Sequence, residues 1–221
     1  MTSENKSIST VLAIAACALS LAANADRHWT GGGATTDWTD NANWGAGNGS
    51  GNWVFGGAKV ANLPSTDPIV CTFTNAVTIS SGVWIENGSK ANVVWQTSEN
   101  ADEGAGLKTT WGTNNSLNIG TGTHGGLTIE SGVYYMPKQL WIGNGAADSY
   151  FTLNGGVFTN QSYTCIGYGG YSRTATMTVN GGTFRQNSNT FIVGQGNHSG
   201  CKGVFNLISG SVDTAANATC L

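Results

Sequence analysis

A chain of 221 residues with a formal net charge of −3, 33 glycines, eight tryptophans and only 10% charged side chains is 39% apolar. That is enough to build one core, and it excludes a disordered polar tract. No basic run and no acidic tail concentrates the charge, so a nucleic-acid partner is not expected. Gly, Asn, Thr and Ser cut the apolar residues into short β-branched runs, and no amphipathic helix follows residue 25, so the chain reads as all-β.

Residues 1–25 read as a signal peptide. Lys6 opens it, Val11-Leu-Ala-Ile-Ala-Ala-Cys-Ala-Leu-Ser-Leu-Ala-Ala23 is its apolar stretch, and Ala23-Asn-Ala25 is a small-residue cleavage site before Asp26. The apolar stretch is too short for a stable span, so no membrane span is expected after cleavage. Ile14-Ala-Ala-Cys17 offers a competing lipidation site, but Cys17 has more apolar residues after it, which favours cleavage after Ala25. The product is expected at the cell surface or outside the cell. Export leaves Cys71, Cys165, Cys201 and Cys220, an even count that permits disulfides without specifying them. Cys165 shares its repeat position with Trp141 and Ile192, which predicts a small buried apolar role.

Residues 26–73 form a distinct Trp- and Gly-rich segment, with Trp29-Thr-Gly-Gly-Gly33, Asp37-Trp38, Asn43-Trp44 and Trp53. Two readings compete for its rings. They plug the open first coil of the repeat array, hiding apolar surface and strand edges, or Trp29, Trp38, Trp44 and Trp53 are exposed faces for stacking on glycans. Asp37, Asp40, Asn41 and Asn43 could offer oxygens to calcium. Their order fits no EF-hand or glycine-rich calcium repeat, and turn and cap chemistry is preferred. Leu63-Pro-Ser-Thr-Asp-Pro68 then leads into Ile69-Val-Cys-Thr-Phe73.

From 74 to 213 the chain repeats. Leu127-Thr-Ile-Glu-Ser-Gly132, Phe151-Thr-Leu-Asn-Gly-Gly156, Met177-Thr-Val-Asn-Gly-Gly182 and Phe205-Asn-Leu-Ile-Ser-Gly210 start 24, 26 and 28 residues apart. That is a solenoid period. Ile119-Gly-Thr-Gly122, Ile142-Gly-Asn-Gly145, Ile166-Gly-Tyr-Gly169 and Val193-Gly-Gln-Gly196 run in step with them. Val77-Thr-Ile-Ser-Ser-Gly82 reads as an early copy of the first motif, 50 residues before Leu127, with a degenerate coil around 90–122 between them and a surface excursion at 98–106.

Within each unit, apolar residues alternating with Thr or Asn predict a strand with one buried face. The glycines Gly132, Gly156, Gly182 and Gly210, and Gly143, Gly167 and Gly194 in the second motif, are predicted corners that tolerate positive φ. A second strand carries a large side chain at one place, Trp84, Tyr134, Phe158, Phe184 or Val212, predicted to form a buried ladder. Three short strands per 24–28 residues predict a parallel β-helix with coils about 4.8 Å apart. Asn-Gly is also a hairpin signal, but the third strand per unit favours the solenoid. Residues 214–221 read as a tail; with no polar cap in view, the chain is expected to be a fragment or to have its last coil covered by something else.

These tandem units resemble the autotransporter-associated β-strand repeat of large bacterial surface proteins. The segment with Trp29, Gly31, Gly32, Trp38, Asn43, Trp44, Pro64, Asp67 and Phe73 resembles the pattern that often precedes such repeats. Together the two likenesses cover most of residues 28–212. What the resemblance implies is a right-handed β-helix passenger, exported and displayed or released, with an adhesive or structural role. The translocating barrel of that family, a series of alternating strands of roughly ten residues, is not found here, which puts anchoring in doubt.

The chemistry of an enzyme is poorly represented. From residue 107 onward the acidic residues are Glu130, Asp148 and Asp213, at different repeat positions, and Lys138, Arg173, Arg185 and Lys202 are likewise scattered. His28, His124 and His198 occur singly, so no metal site is expected. Gly-x-Gly recurs without a following helix, which rejects a dinucleotide site. No cofactor and no catalysis are expected. The leading reading is an exported, non-catalytic surface protein whose partners are extracellular polymers, glycans among them, or further copies of itself. The alternative is a carbohydrate-binding or polysaccharide-acting β-helix module.

Overall fold

Apolar residues that alternate with polar ones leave one face of each short strand dry, and here those faces all turn inward around one axis. The computed structural model describes residues 26–45, 52–56, 68–86, 92–110, 116–121, 124–145, 147–168, 173–188, 190–194, 200–215 and 219–220. Of the described residues 58% are strand and 2% helical, and the parallel sheets form a β-solenoid of about 6 turns. Each turn has three legs. The first coil comprises Ile69–Phe73, Ala76–Ile79 and Val83–Glu86, and the second Val93–Thr97, Gly106–Thr109 and Leu117–Ile119. The third is Gly125–Ile129, Val133–Met136 and Leu140–Ile142, and the fourth Ser149–Leu153, Val157–Asn160 and Thr164–Ile166. In the fifth and sixth the first two legs run as one strand through the corner, Thr174–Gln186 and Lys202–Thr214, followed by Thr190–Val193 and Thr219–Cys220.

The register turns repeat positions into columns. Leu127, Phe151, Met177 and Phe205 are stacked Cα partners, as are Ile119, Ile142, Ile166 and Val193. A first-leg column runs Cys71, Trp95, Ile129, Leu153, Val179, Leu207. Its members up to Val179 are 0% exposed. Burying such a side chain contributes about 1.5–3 kcal/mol, and a single coil has nothing to bury it against. Tyr134, Phe158, Phe184 and Val212 form the second-leg column. Phe158 and Phe184 stack at 5.9 Å between centroids, whereas Tyr134 stacks on Trp95 at 5.3 Å and donates its hydroxyl to the Ser131 carbonyl at 2.9 Å.

One register position holds two inward amides. Asn160 and Gln186 are both fully buried at the turn from second to third leg. Asn160 Nδ2 donates to the Ser162 and Tyr163 carbonyls and to Thr164 Oγ1, and Thr164 donates to Gln186 Oε1 at 2.6 Å. The Asn160 amide thereby ties its own strand to the corner carbonyls that follow it, the Tyr163 carbonyl also accepting from Leu140 N–H of the neighbouring coil.

Four expectations change. Val77-Thr-Ile-Ser-Ser-Gly82 is not a copy of the first motif. Ala76–Ile79 stacks under Gly106–Thr109 and so belongs to the second leg; Ile69–Phe73 is the true counterpart of Gly125–Ile129, through Val93–Thr97. Any leg followed by a corner reads alike, and the 98–105 insertion lengthens the second coil enough to make the 50-residue spacing coincide with two periods. Trp84 accordingly leaves the aromatic ladder: it lies on the third leg, between Val54 and Asn118. The coils begin at Ile69 rather than 74, because the strand after Pro68 is already paired with Val93–Thr97. At the far end, Thr219–Cys220 pairs with Thr190–Phe191 as a third leg, so the tail holds part of a coil.

Candidate functional site

The Trp-rich segment closes one end of the solenoid. Arg27–His28 and Trp53–Gly56 extend the third-leg sheet two rungs below the first coil. Residues 36–38 run under the first leg, with Trp38 N–H donating to the Thr72 carbonyl at 2.9 Å and Thr72 N–H to the Thr36 carbonyl at 2.8 Å. Trp29, Trp38 and Trp44 are 2%, 2% and 7% exposed. Trp38 stacks on Phe73 at 5.3 Å and Trp29 on Phe55 at 5.4 Å, while the Trp44 indole N–H donates to the Trp38 carbonyl at 2.8 Å. Rings packed on both faces offer none to a sugar, so glycan stacking by Trp29, Trp38 and Trp44 is ruled out in this conformation. Trp53 is half-buried and carries the Arg27 guanidinium over its ring at 4.7 Å.

Of the residues considered for calcium, Asp37, Asp40 and Asn43 have their side chains engaged in the chain's own turns, and Asn41 accepts through its backbone carbonyl from Trp44 N–H. Asp40 accepts from Ala42 N–H at 3.0 Å and caps the short 3₁₀ turn Asn41–Asn43. Asn43, fully buried, donates to the Thr35 and Asp37 carbonyls and accepts from Gly33 N–H, each at 2.9 Å. Asp37 accepts from the Thr39 N–H and hydroxyl and from the Thr74 hydroxyl. Burial pushes its carboxyl up, but these hydrogen bonds outweigh it and hold the group below its usual value of 3.8. A folded value below the unfolded one stabilises the fold above the unfolded value, and that contribution is lost as pH falls through the folded one. Thermal melts run from about pH 5 down to about pH 2 should therefore fall more steeply for the parent than for Asp37→Asn; parallel profiles would contradict this role.

The corner glycines sit where the backbone turns left-handed. Gly132, Gly156, Gly182 and Gly210 have φ of 107°, 75°, 64° and 85°, and Gly143, Gly167 and Gly194 have 74°, 79° and 79°. They position the legs and bear no chemistry of their own. Glu130 accepts from Asn154 Nδ2 at 3.0 Å, Asp148 from Thr174 N–H at 2.8 Å, and Asp213 pairs with Arg185 at 3.5 Å. Each acidic group ties one coil to the next, and no two of them face a common point. Among the described residues no group of three or more His, Cys, Asp or Glu could hold a metal ion. His124 Nε2 lies 2.7 Å from the Tyr150 hydroxyl, and His198 is outside the described residues.

Cys71 and Cys201 are free thiols, and Cys165 is buried. Burial, with a smaller contribution from Asp37, pushes Cys71 well above its ordinary value, and burial alone pushes Cys165 to about 12, so neither is a thiolate nucleophile. The Cys220 side chain is outside the described residues.

Open grooves occur among the described residues. One, of about 380 Å³, lies between the Thr30–Thr36 turn and Val70, and another, of about 430 Å³, runs along a corner between Asp102 and the pair Val133 and Val157. Sequence reading missed the outward aromatics of the third leg. Trp84 and Trp141 alternate with fully buried neighbours and so point away from the core, and Trp141 packs against Tyr168 at 4.3 Å. It also missed the exposed Leu207 and Ile208. The signal for the latter was present: Ile208 stands where the other copies have Glu130, Asn154 and Asn180.

The fold and its surfaces define a capped parallel β-solenoid. No protein family, no curated protein and no solved structure matches this chain when each is compared with it.

Proposed function

We propose that the chain is an exported, non-catalytic solenoid that acts at the cell surface or outside the cell, adhesive or structural in the manner of an autotransporter-type passenger. One observation carries the reading. The long outer faces are built from laddered polar side chains, such as Thr152, Thr178 and Asn206 in one column and Glu130 hydrogen-bonded to Asn154 in another, and not from groups converging on one point. A rod of this kind presents many weak contacts along its length, which suits extended extracellular polymers, glycans included, and other copies of the chain. The apolar stretch at 11–23 and the Ala23-Asn-Ala25 site support export. The resemblance of the tandem units to surface-protein repeats supports the same destination. Locating the chain on intact producing cells tests the reading: accessibility from outside is expected, and retention inside the cell would overturn it.

A further inference from the structure

The third leg carries a strip of aromatic and amide side chains on its outer face. Trp84, Asn118 and Trp141 occupy one column on successive rungs, Trp84 paired with Asn118 and Asn118 with Trp141. Each stands between neighbours that are 0% exposed, Val83 and Ile85, Leu117 and Ile119, Leu140 and Ile142, so all three point outward. The column beside them holds Ser116, Gln139 and Tyr163, stacked because Leu117 N–H donates to the Gln139 carbonyl and Leu140 N–H to the Tyr163 carbonyl. Ser116 donates its hydroxyl to Gln139 Oε1 at 2.9 Å, which fixes that amide, and Tyr163 is 41% exposed. Tyr168 packs on Trp141 at 4.3 Å and steadies its ring. Among the described residues the two indole N–H groups and the Asn118 amide have no hydrogen-bond partner.

The two tryptophans are two rungs apart, about 9–10 Å along the axis. That is close to the length of one disaccharide unit in an extended β-1,4-linked pyranose chain. Successive sugars of such a chain flip at each link, so every second ring presents the same face. The flat C–H face of an all-equatorial ring lies well on an indole, which offers an apolar body and one polar tip. Asn118 then falls beneath the intervening sugar and Gln139 beside it, where amides can bond ring hydroxyls. The third-leg strands Leu117–Ile119, Leu140–Ile142, Thr164–Ile166 and Thr190–Val193 contain no Asp, Glu, Lys or Arg, so the strip has no charge to match a polyanion or a polycation. We propose that this strip binds an extended, uncharged β-1,4-linked polysaccharide of the glucan or N-acetylglucosamine type. The chain lies along the solenoid with one ring on Trp84 and the next but one on Trp141. Trp29, Trp38 and Trp44 are buried in the cap, so glycan contact passes from the cap to this face.

The site deepens the glycan contacts of the proposed function and rests on that reading for a polymer met outside the cell. Binding in solution does not depend on where the cell places the chain, so the two can fail separately. Titration calorimetry of the full chain with cellohexaose and with chitohexaose separates the two sugar types, and at least one is expected to bind. The matching disaccharide, which reaches only one indole, should bind about tenfold more weakly, and maltohexaose, whose α-1,4 chain coils, should not bind. Trp84→Ala and Trp141→Ala should each weaken the hexasaccharide by about tenfold, and Trp84→Phe by less. Trp84 meets no other ring among the described residues, so Trp84→Ala should keep the parent's thermal melt. Tyr150→Ala is the control: Tyr150 is 37% exposed but lies on the first leg, and its loss should leave binding unchanged. No binding of either hexasaccharide, equal binding of maltohexaose, or binding indifferent to both indoles would each overturn the proposal.

Discussion

Gly156→Val is expected to destabilise the solenoid by about 2–5 kcal/mol, combining the left-handed backbone cost with overpacking. Gly156 has φ 75°, and a Cβ there would sit 2.3 Å from the Gly132 carbonyl oxygen and 2.8 Å from the Gly132 nitrogen. Both obstacles are backbone of the coil below and cannot swing aside. The same contact recurs one rung up, where a Cβ on Gly182 would meet the Gly156 oxygen at 2.5 Å. The corner is thus a column of glycines packed peptide on peptide, and one branched side chain would pry apart two coils. Gly104 supplies the control. Its φ is 84°, but nothing lies within 4 Å of the added Cβ, so Gly104→Ala should cost only the backbone term of about 1–2 kcal/mol. Urea unfolding of the variants separates the two terms; equal midpoints for Gly156→Val and Gly104→Ala would refute the stacked corner.

Trp38→Ala is expected to cost about 3–5 kcal/mol, the range for emptying a buried aromatic site. Trp38 is 2% exposed and touches five other rings, Trp44, Trp53, Phe55, Phe73 and Trp95, at centroid distances of 4.8, 5.1, 5.8, 5.3 and 6.2 Å. It is the plug that joins the N-terminal turn to the first coil. Its loss exposes Phe73 and Phe55 together with the lower strand edges, so increased binding of an apolar dye should accompany the lower melting point. Since a domain of this kind has only about 5–15 kcal/mol to lose, the variant stands near the limit of folding. An unchanged melt with unchanged dye binding would mean that the cap is not integral to the fold.

The sequence carried the coil period and the inward columns openly, because a strand with one buried face must alternate and a corner with positive φ must use glycine. The Leu127, Phe151, Met177 and Phe205 column is the clearest instance. What it hid was phase. Val77–Gly82 resembles Leu127–Gly132 residue by residue, yet it occupies a different leg, since local pattern specifies strand and corner without saying which side of the triangle they form. The role of the Trp cluster was equally open to plug or ligand face until packing was known; Trp29 between Trp44 and Phe55 settles its own part. Trp84 reads as an inward ladder residue, and the direction of Trp141 stays unread, because an outward tryptophan and an inward one look alike in a short run. Only alternation against Val83 and Ile85, or Leu140 and Ile142, tells them apart.

The most direct test of the central claim is to treat intact producing cells with an added protease and to determine the N-terminus of the chain recovered. An exported solenoid is cut on the outside, or collected from the medium, and begins at Asp26. A chain that stays protected inside unbroken cells and still begins at Met1 would contradict it.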